Sequence, residues 1–325
     1  MTSNNQAKSR RTLVLYNLPA AATLVLANLI CFYSLVINAQ RGSSSLKPNG
    51  VEPDQPPQVR TENIQAAKDY KLLLIATGNE LESEAFERFN RSVRSFDLNL
   101  VALDAKQNLD KTQAFDNRDP VSIIERQKIL EFKKALSNYK SENNLVIVLL
   151  DGESAVVNAG ETTILSRFFS LDAKLLIGAD DVCWPDCSKS LINAQYPRTG
   201  GSPYVNSHAV IGYAPVLWEV LNIADITQED KLLSSDVTLQ TYLNKIYLDT
   251  DYRTKFGIKL DSKAAIVQTV HLDLADSQLK LDIGLDIARL RNLIYNTEPV
   301  IVISTVATDV GSWVSYSFSY YQLYS

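Results

Sequence analysis

Apolar positions along this chain fall into short continuous runs separated by stretches at helical spacing. Leu72-Leu73-Leu74-Ile75-Ala76-Thr77, closed by Gly78, predicts a strand buried on both faces. From Glu80 to Phe96 the apolar residues Leu81, Ala85, Phe86, Phe89, Val93 and Phe96 recur at helical spacing. Leu98–Leu103 predicts a second strand, and 122–139 a second helix after a polar loop over 104–120. Leu145-Val146-Ile147-Val148-Leu149-Leu150 is the strongest strand signal; Lys174–Ile177 and Ala209–Ile211 are weaker ones. Strands alternating with helices predict a mainly parallel sheet with right-handed crossovers. Such sheets bind ligands beyond the carboxyl ends of their strands, here just after Thr77, Leu103 and Leu150.

The N-terminal portion has a different pattern. Residues 1–12 are polar and carry Lys8, Arg10 and Arg11, which predicts a cytosolic tail. An apolar run from Leu13 to Ile37 follows, broken only by Asn17, Pro19, Asn28 and Ser34. About 20 apolar residues cross a bilayer as a helix, so 13–38 reads as a single-pass signal anchor of type II orientation. A cleaved signal peptide ending near Ile37-Asn38-Ala39 is the alternative. Both readings send the remainder into the endoplasmic reticulum or Golgi, or out of the cell if the segment is cleaved. Residues 39–66, with Gly42-Ser43-Ser44-Ser45 and Pro48, Pro53, Pro56 and Pro57, read as a flexible stem. Residues 67–325 then form the lumenal domain.

Composition narrows the chemistry. A formal net charge of -5 excludes nucleic acid as an expected partner. Two histidines, His208 and His271, are too few for a zinc site built on several. Cys31, Cys183 and Cys187 do not make a disulfide scaffold, although Cys183 and Cys187 sit at i, i+4 in an oxidising compartment. Asn90-Arg91-Ser92 is a glycosylation sequon inside a predicted helix. The aromatic run Trp313, Tyr316, Phe318, Tyr320, Tyr321 and Tyr324 alternates with polar residues, as in an amphipathic strand or tail. After the strongest strand comes Asp151-Gly152-Glu153, two carboxylates at the mouth of a parallel sheet. That pattern suits a hard divalent cation with oxygen ligands, or a solvated turn.

Several segments, in one order, resemble the glycosyltransferase domain of the procollagen lysyl hydroxylases. They are Leu74–Thr77 with Glu87–Ser92; Gln127-Lys128-Ile129 with Lys133–Leu136; Val146–Asp151; Ala179-Asp180-Asp181-Val182-Cys183-Trp184-Pro185-Asp186; Tyr196-Pro197; Ile211–Pro215; Lys245–Asp249; Leu260-Asp261; and Arg291-Asn292-Leu293 with Pro299-Val300. Together they cover about residues 70–310. The resemblance implies a glycosyltransferase A-type α/β fold with a mixed, mainly parallel sheet. It implies Mn²⁺, a UDP-sugar donor, and hydroxylysine of a collagen-like protein as acceptor. It assigns Asp151 to the metal, with Glu153 as a substitute second ligand, and gives Lys128 and Asp151 donor-binding roles. It places Asp180, Asp181 and Asp236 at the substrates.

The chain departs from the family at several of these positions. The second metal aspartate falls on Ser154, and the metal histidine on Ile303. Of the family's acidic run ending in Asp-Gln, Gln240 remains, with Asp236 out of register. The family's glycine-rich stretch reads Asn206-Ser207-His208-Ala209, so His208 fills space that glycine leaves open. The family's base-stacking tryptophan loop has no counterpart that can be placed. Three expectations follow: a divergent hexosyltransferase with a weakened metal site, an inactive relative that binds a collagen-like protein or an active homologue, or a metal-independent transferase in which Lys128 or another cation replaces Mn²⁺.

Overall fold

The computed structural model describes residues 60–106, 120–184, 196, 200–223, 237–271, 279–283 and 288–304. The chain divides into two units, Met1–Glu52 and Pro53–Ser325, and every described residue belongs to the second. The expected anchor over 13–38, most of the expected stem, and the aromatic run at 313–324 lie outside the described residues. No helix among the described residues is long and apolar enough to cross a membrane.

A short helix α1 (Thr61–Ala67) leads into β1 (Lys71–Gly78), α2 (Glu84–Ser95), β2 (Leu100–Asp104), α3 (Pro120–Leu136) and β3 (Leu145–Asp151). Next come β4 (Ala155–Val157), α4 (Glu161–Ser170), β5 (Leu175–Asp180), β6 (Tyr204–Tyr213) and α5 (Ala214–Leu221). The described chain ends with α6 (Leu239–Leu248), α7 (Thr250–Lys255), β7 (Ile258–Leu260), β8 (Val267–Val270), β9 (Leu279–Ile283), β10 (Ala288–Asn292) and β11 (Ile301–Ser304). The strands and helices expected before residue 151 are all present, with ends shifted by a few residues. The two weak strand signals are the cores of β5 and of the ten-residue β6.

The main sheet has the order β2-β1-β3-β6-β5-β7. Pairing is parallel for β1 with β2 and β3, and for β5 with β7; β6 alone runs antiparallel, against both β3 and β5. The fold is therefore mixed α/β with a mainly parallel central sheet. Side-chain alternation along the uniformly apolar β3 explains its strength as a signal. Val146, Val148 and Leu150 pack with Phe86, Phe89 and Val93 of α2 and Ile164, Leu165 and Phe168 of α4. Leu145, Ile147 and Leu149 pack with Ile129, Phe132 and Leu136 of α3 and with α5 and α6 on the other face. A strand covered on both faces has no place for polar residues until it leaves the sheet. Each large side chain so buried contributes roughly 1.5–3 kcal/mol.

A second, three-stranded sheet has the order β4-β11-β8, and β9 pairs with β10 as a hairpin. Ile303 lies in β11, fully buried and opposite Ala155 of β4. Ser92 of the sequon is also buried; its hydroxyl donates to Phe89 O and accepts from Val157 N. Those two bonds place the sequon serine inside the α2–β4 contact.

Two local features aim the strand ends. Gly152 follows β3, and a Cβ there would come within 2.6 Å of the Phe86 ring, so the turn that carries Asp151 requires glycine. Between β5 and β6 the register slips at Ile177/Gly178. Bulges of this kind re-aim side chains, and here the slip sets Asp180 opposite Tyr204 and within reach of Asn206.

Candidate functional site

Two aspartates end strands of the main sheet, Asp151 on β3 and Asp180 on β5. Each is met by one of the chain's two histidines.

At the end of β3, Lys128 of α3 donates from Nζ to Asp151 Oδ2 at 2.9 Å and lies 2.8 Å from Glu125 Oε1. The Lys128 side chain is only 6% exposed. The structure thus brings together the two residues expected to bind donor. His208 Nδ1 lies 3.3 Å from Asp151 Oδ2, within ion-pair range but without hydrogen-bond alignment. Asp151 Oδ1 accepts from Glu153 N at 3.2 Å. Burial pushes the Asp151 carboxyl up, but Lys128 and His208 outweigh it and hold it well below the usual carboxylate range. Burial opposes the charged forms of Lys128 and His208 too, and the acids beside them more than offset it, so both pKa values are raised.

These residues do not fit Mn²⁺. Glu153 turns its carboxylate to Glu80 N (3.1 Å) and Ser83 Oγ (3.4 Å). Ser154 and the buried Ile303 supply no anionic or imidazole donor. Among the described residues no three His, Cys, Asp or Glu side chains cluster to hold a metal. The charge on Asp151 is met by a resident lysine and histidine instead.

At the end of β5, Asp180 is buried and fully hydrogen-bonded. Its Oδ1 accepts from Val182 N at 2.8 Å and contacts His271 Nε2 at 2.6 Å; its Oδ2 accepts from Asn206 Nδ2 at 3.2 Å. Asn206 Nδ2 also donates to Thr269 Oγ1 (3.1 Å), whose hydroxyl donates to Ala179 O (2.8 Å). Asn206 Oδ1 accepts from His208 N at 2.9 Å, so one β6 segment supports both strand ends. Asp180 and Asp181 both line a small concavity open to solvent, along with Ser202, Gln268, Thr269, His271, Asn292 and Tyr295. The buried Asp261, also in its wall, accepts from the backbone N–H groups of Ala265, Ile266 and Val267 at 2.7–2.8 Å. Burial outweighs those bonds and pushes its pKa up.

Asp236 and Cys187 lie outside the described residues. Gln240 braces the site from α6: its Nε2 donates to Val205 O (2.7 Å) and its Oε1 accepts from Ser207 N (2.9 Å). Sequence reasoning missed His271, Asn206 and Thr269 as parts of the Asp180 network, and missed the pairing of His208 with Asp151. The available signal was scarcity: two histidines in the whole chain, one placed directly after Val267-Gln268-Thr269-Val270.

Residues 68–311 match the family model described as the PLOD GT domain. Over 242 residues the chain is 31% identical to procollagen-lysine,2-oxoglutarate 5-dioxygenase 1 of Rattus norvegicus, a match covering 73% of this chain and 31% of that protein. Over 262 residues it is 28% identical to the multifunctional procollagen lysine hydroxylase and glycosyltransferase LH3 of Rattus norvegicus, covering 80% of this chain and 31% of that protein. The chain therefore spans less than a third of the length of these relatives. A solved glycosyltransferase involved in glycosylating the major capsid of PBCV-1 superposes with a TM-score of 0.42 at 9% identity, covering 75% of this chain and 98% of that one, too loosely to carry an argument. With three quarters of its length matched in one continuous span, the chain belongs to the PLOD GT domain family of glycosyltransferases.

Proposed function

We propose that this domain is a divergent hexosyltransferase with a glycosyltransferase A-type fold. Its donor is a UDP-hexose and its acceptor the hydroxylysine of a collagen-like protein, and its transfer does not depend on Mn²⁺. The observation that carries this reading is the end of β3, where a buried lysine and a histidine meet the charge of Asp151 in place of a metal ion. Lys128 puts an ammonium, already paired with Asp151 and Glu125, at the strand end where a diphosphate would lie. Two atoms at the end of β1, Thr77 Oγ1 and Asn79 Oδ1, are buried without a hydrogen-bond partner, as befits a place that receives a polar ligand. In the reaction an acceptor hydroxyl attacks the anomeric carbon, the bond from that carbon to the diphosphate oxygen breaks, and UDP leaves with the electron pair. Asp180, Asp181 and Asp236 are the acids assigned to the substrates.

The domain acts, in this proposal, in the lumen of the endoplasmic reticulum or Golgi, held by its N-terminal segment as a single-pass anchor. The test is transfer from UDP-glucose or UDP-galactose to a hydroxylysine-bearing collagen peptide, with and without chelator. Transfer that persists in chelator is expected. No transfer above that of an Asp180→Asn/Asp181→Asn variant would sink the reading.

A second reading is favoured by one observation, the burial of Ile303 where the family places a metal-binding histidine. In it the domain is an inactive relative that binds a collagen-like protein or an active homologue. UDP that fails to raise the melting temperature would select this reading, since a ligand that binds only the folded state must raise it.

A further inference from the structure

The sequence contains a single Asn-X-Ser/Thr pattern, Asn90-Arg91-Ser92, and it falls inside α2. We propose that Asn90 is an N-glycosylation site used while the chain is being made, before α2 packs against the sheets, and that its glycan then stands on the outer face of the folded domain. The inference rests on the lumenal placement of residues 67–325.

The helix separates the two halves of the pattern. Phe86, Phe89 and Val93 turn one face of α2 into the core formed with β1 and β3. At about 3.6 residues per turn, Glu87, Asn90, Arg91 and Arg94 share the face away from it. Arg91 is exposed and Asn90 partly so. Asn90 Nδ2, the atom that takes the sugar, donates to Glu87 Oε2 of the same helix at 3.4 Å, beyond the usual hydrogen-bond range. A glycan on that atom displaces one long contact within its own helix.

Ser92 faces the other way. It is 4% exposed, and its hydroxyl donates to Phe89 O at 2.6 Å and accepts from Val157 N at 3.1 Å. That hydroxyl is half of what makes the pattern an acceptor, so the folded domain withholds it from an oligosaccharyl transferase. Use of the site has to precede folding of this segment. Chain order supplies the interval. Val157 lies 65 residues beyond Ser92, so at about 5–20 residues/s of synthesis it is added roughly 3–13 s later. A helix of 12 residues without its packing partners is marginal in water, so the pattern is available as extended chain until then.

The sugar donor is an oligosaccharide carried on a lipid diphosphate. Asn90 Nδ2 bonds to its anomeric carbon, and the bond from that carbon to the diphosphate oxygen breaks. The lipid diphosphate leaves with the electron pair, and the amide gives up one proton. Ser92 thus serves two stages, first as the hydroxyl of the acceptor pattern and then as the bridge from α2 to β4.

The test is full-length chain made in a secretory cell and treated with peptide-N-glycosidase, which releases the glycan and leaves an aspartate at the acceptor position. One step down in mass is expected, with the conversion found at position 90 by peptide mass spectrometry. Asn90→Gln is expected to lose the step and keep the melting temperature of the deglycosylated wild type. Ser92→Ala is expected to lose the step and melt lower, because Val157 N loses its acceptor. Val59→Asn completes a second pattern with Arg60 and Thr61 in the stem and reports whether this part of the chain reaches the lumen. A glycan at position 59 with none at Asn90 overturns the proposal and leaves the lumenal placement standing. No glycan at either position removes both. The order of events is read on the folded, unglycosylated Val59→Asn chain, offered to oligosaccharyl transferase with its lipid-linked donor. Modification in the stem and not at Asn90 is expected, and equal modification of the two overturns the claim that Asn90 is used before folding.

Discussion

The carboxyl ends of β3 and β5 each present one aspartate, and each aspartate meets one histidine, but the two ends are built differently. At β3 the Lys128 ammonium reaches Asp151 and Glu125 together, and the group of charges is closed by its own members. At β5, Asp180 is satisfied mainly by hydrogen bonds, from Val182 N, Asn206 and His271, at the edge of an open concavity. The difference teaches that a carboxylate at a strand end is not in itself a ligand site. What matters is whether the protein has already met its charge from within, and how much room is left beside it.

The largest expected effect comes from opening the closed end. Lys128→Ala leaves Asp151 and Glu125 without their buried cation, and breaking such a pair by removing one partner costs about 3–5 kcal/mol. Urea unfolding monitored by fluorescence or circular dichroism would read this loss. Replacing both partners with apolar residues, as in Lys128→Met/Asp151→Leu, is expected to cost less than Lys128→Ala alone, because the buried carboxylate is removed with its cation and only the partly exposed Glu125 and His208 lose a partner. A double variant weaker than the single one would contradict the picture of a self-contained charge group.

The open end is expected to cost less. Asp180→Ala removes the acceptor of Val182 N, Asn206 Nδ2 and His271 Nε2. With solvent adjacent to take over part of that role, the loss is about 1–3 kcal/mol by the same unfolding measurement. A cost equal to that of Lys128→Ala would erase the distinction between the two ends.

A smaller effect depends on pH. The His208 pKa is raised, so its pairing stabilises the fold fully below the ordinary histidine value of 6.5 and is lost as pH rises through the folded-state value. The Asp151 pKa is lowered, so its contribution is present above the ordinary 3.8 and is lost as pH falls through a value below that. The pair therefore acts most strongly between those two ordinary values. The stability difference between wild type and His208→Gln should be greatest there and shrink on the alkaline side. Because the His208 side chain is 35% exposed, its size stays near or below about 1 kcal/mol. A difference that grows with rising pH would contradict the assignment.

Much of this fold was legible in the sequence. β1, β3, α2 and α3 are long, strongly patterned segments whose burial is decided by their own residues, and they appear where the pattern puts them. The strands after residue 258 were missed for a physical reason. They are three to five residues long. Several find partners far along the chain: Ile303 of β11 pairs with Ala155 of β4, and its neighbour strand is β8. No local periodicity carries that information. The same holds for the site. Asp151 and Asp180 stand out as acids after strands, whereas His271 meets Asp180 across 91 residues. Which side chain reaches an acid is set by sheet order, and the slip at Ile177/Gly178 that turns Asp180 toward Asn206 leaves only a glycine as its trace.

The claim at the centre of this account is that Asp151 has its charge met by Lys128 and His208 and holds no Mn²⁺. Calorimetric titration of the full-length chain with Mn²⁺, in the presence of UDP, tests it most directly. The account predicts no saturable heat from the metal and no difference between wild type and Asp151→Ala. Stoichiometric Mn²⁺ binding that disappears in Asp151→Ala would contradict it and return the end of β3 to the metal chemistry of its family.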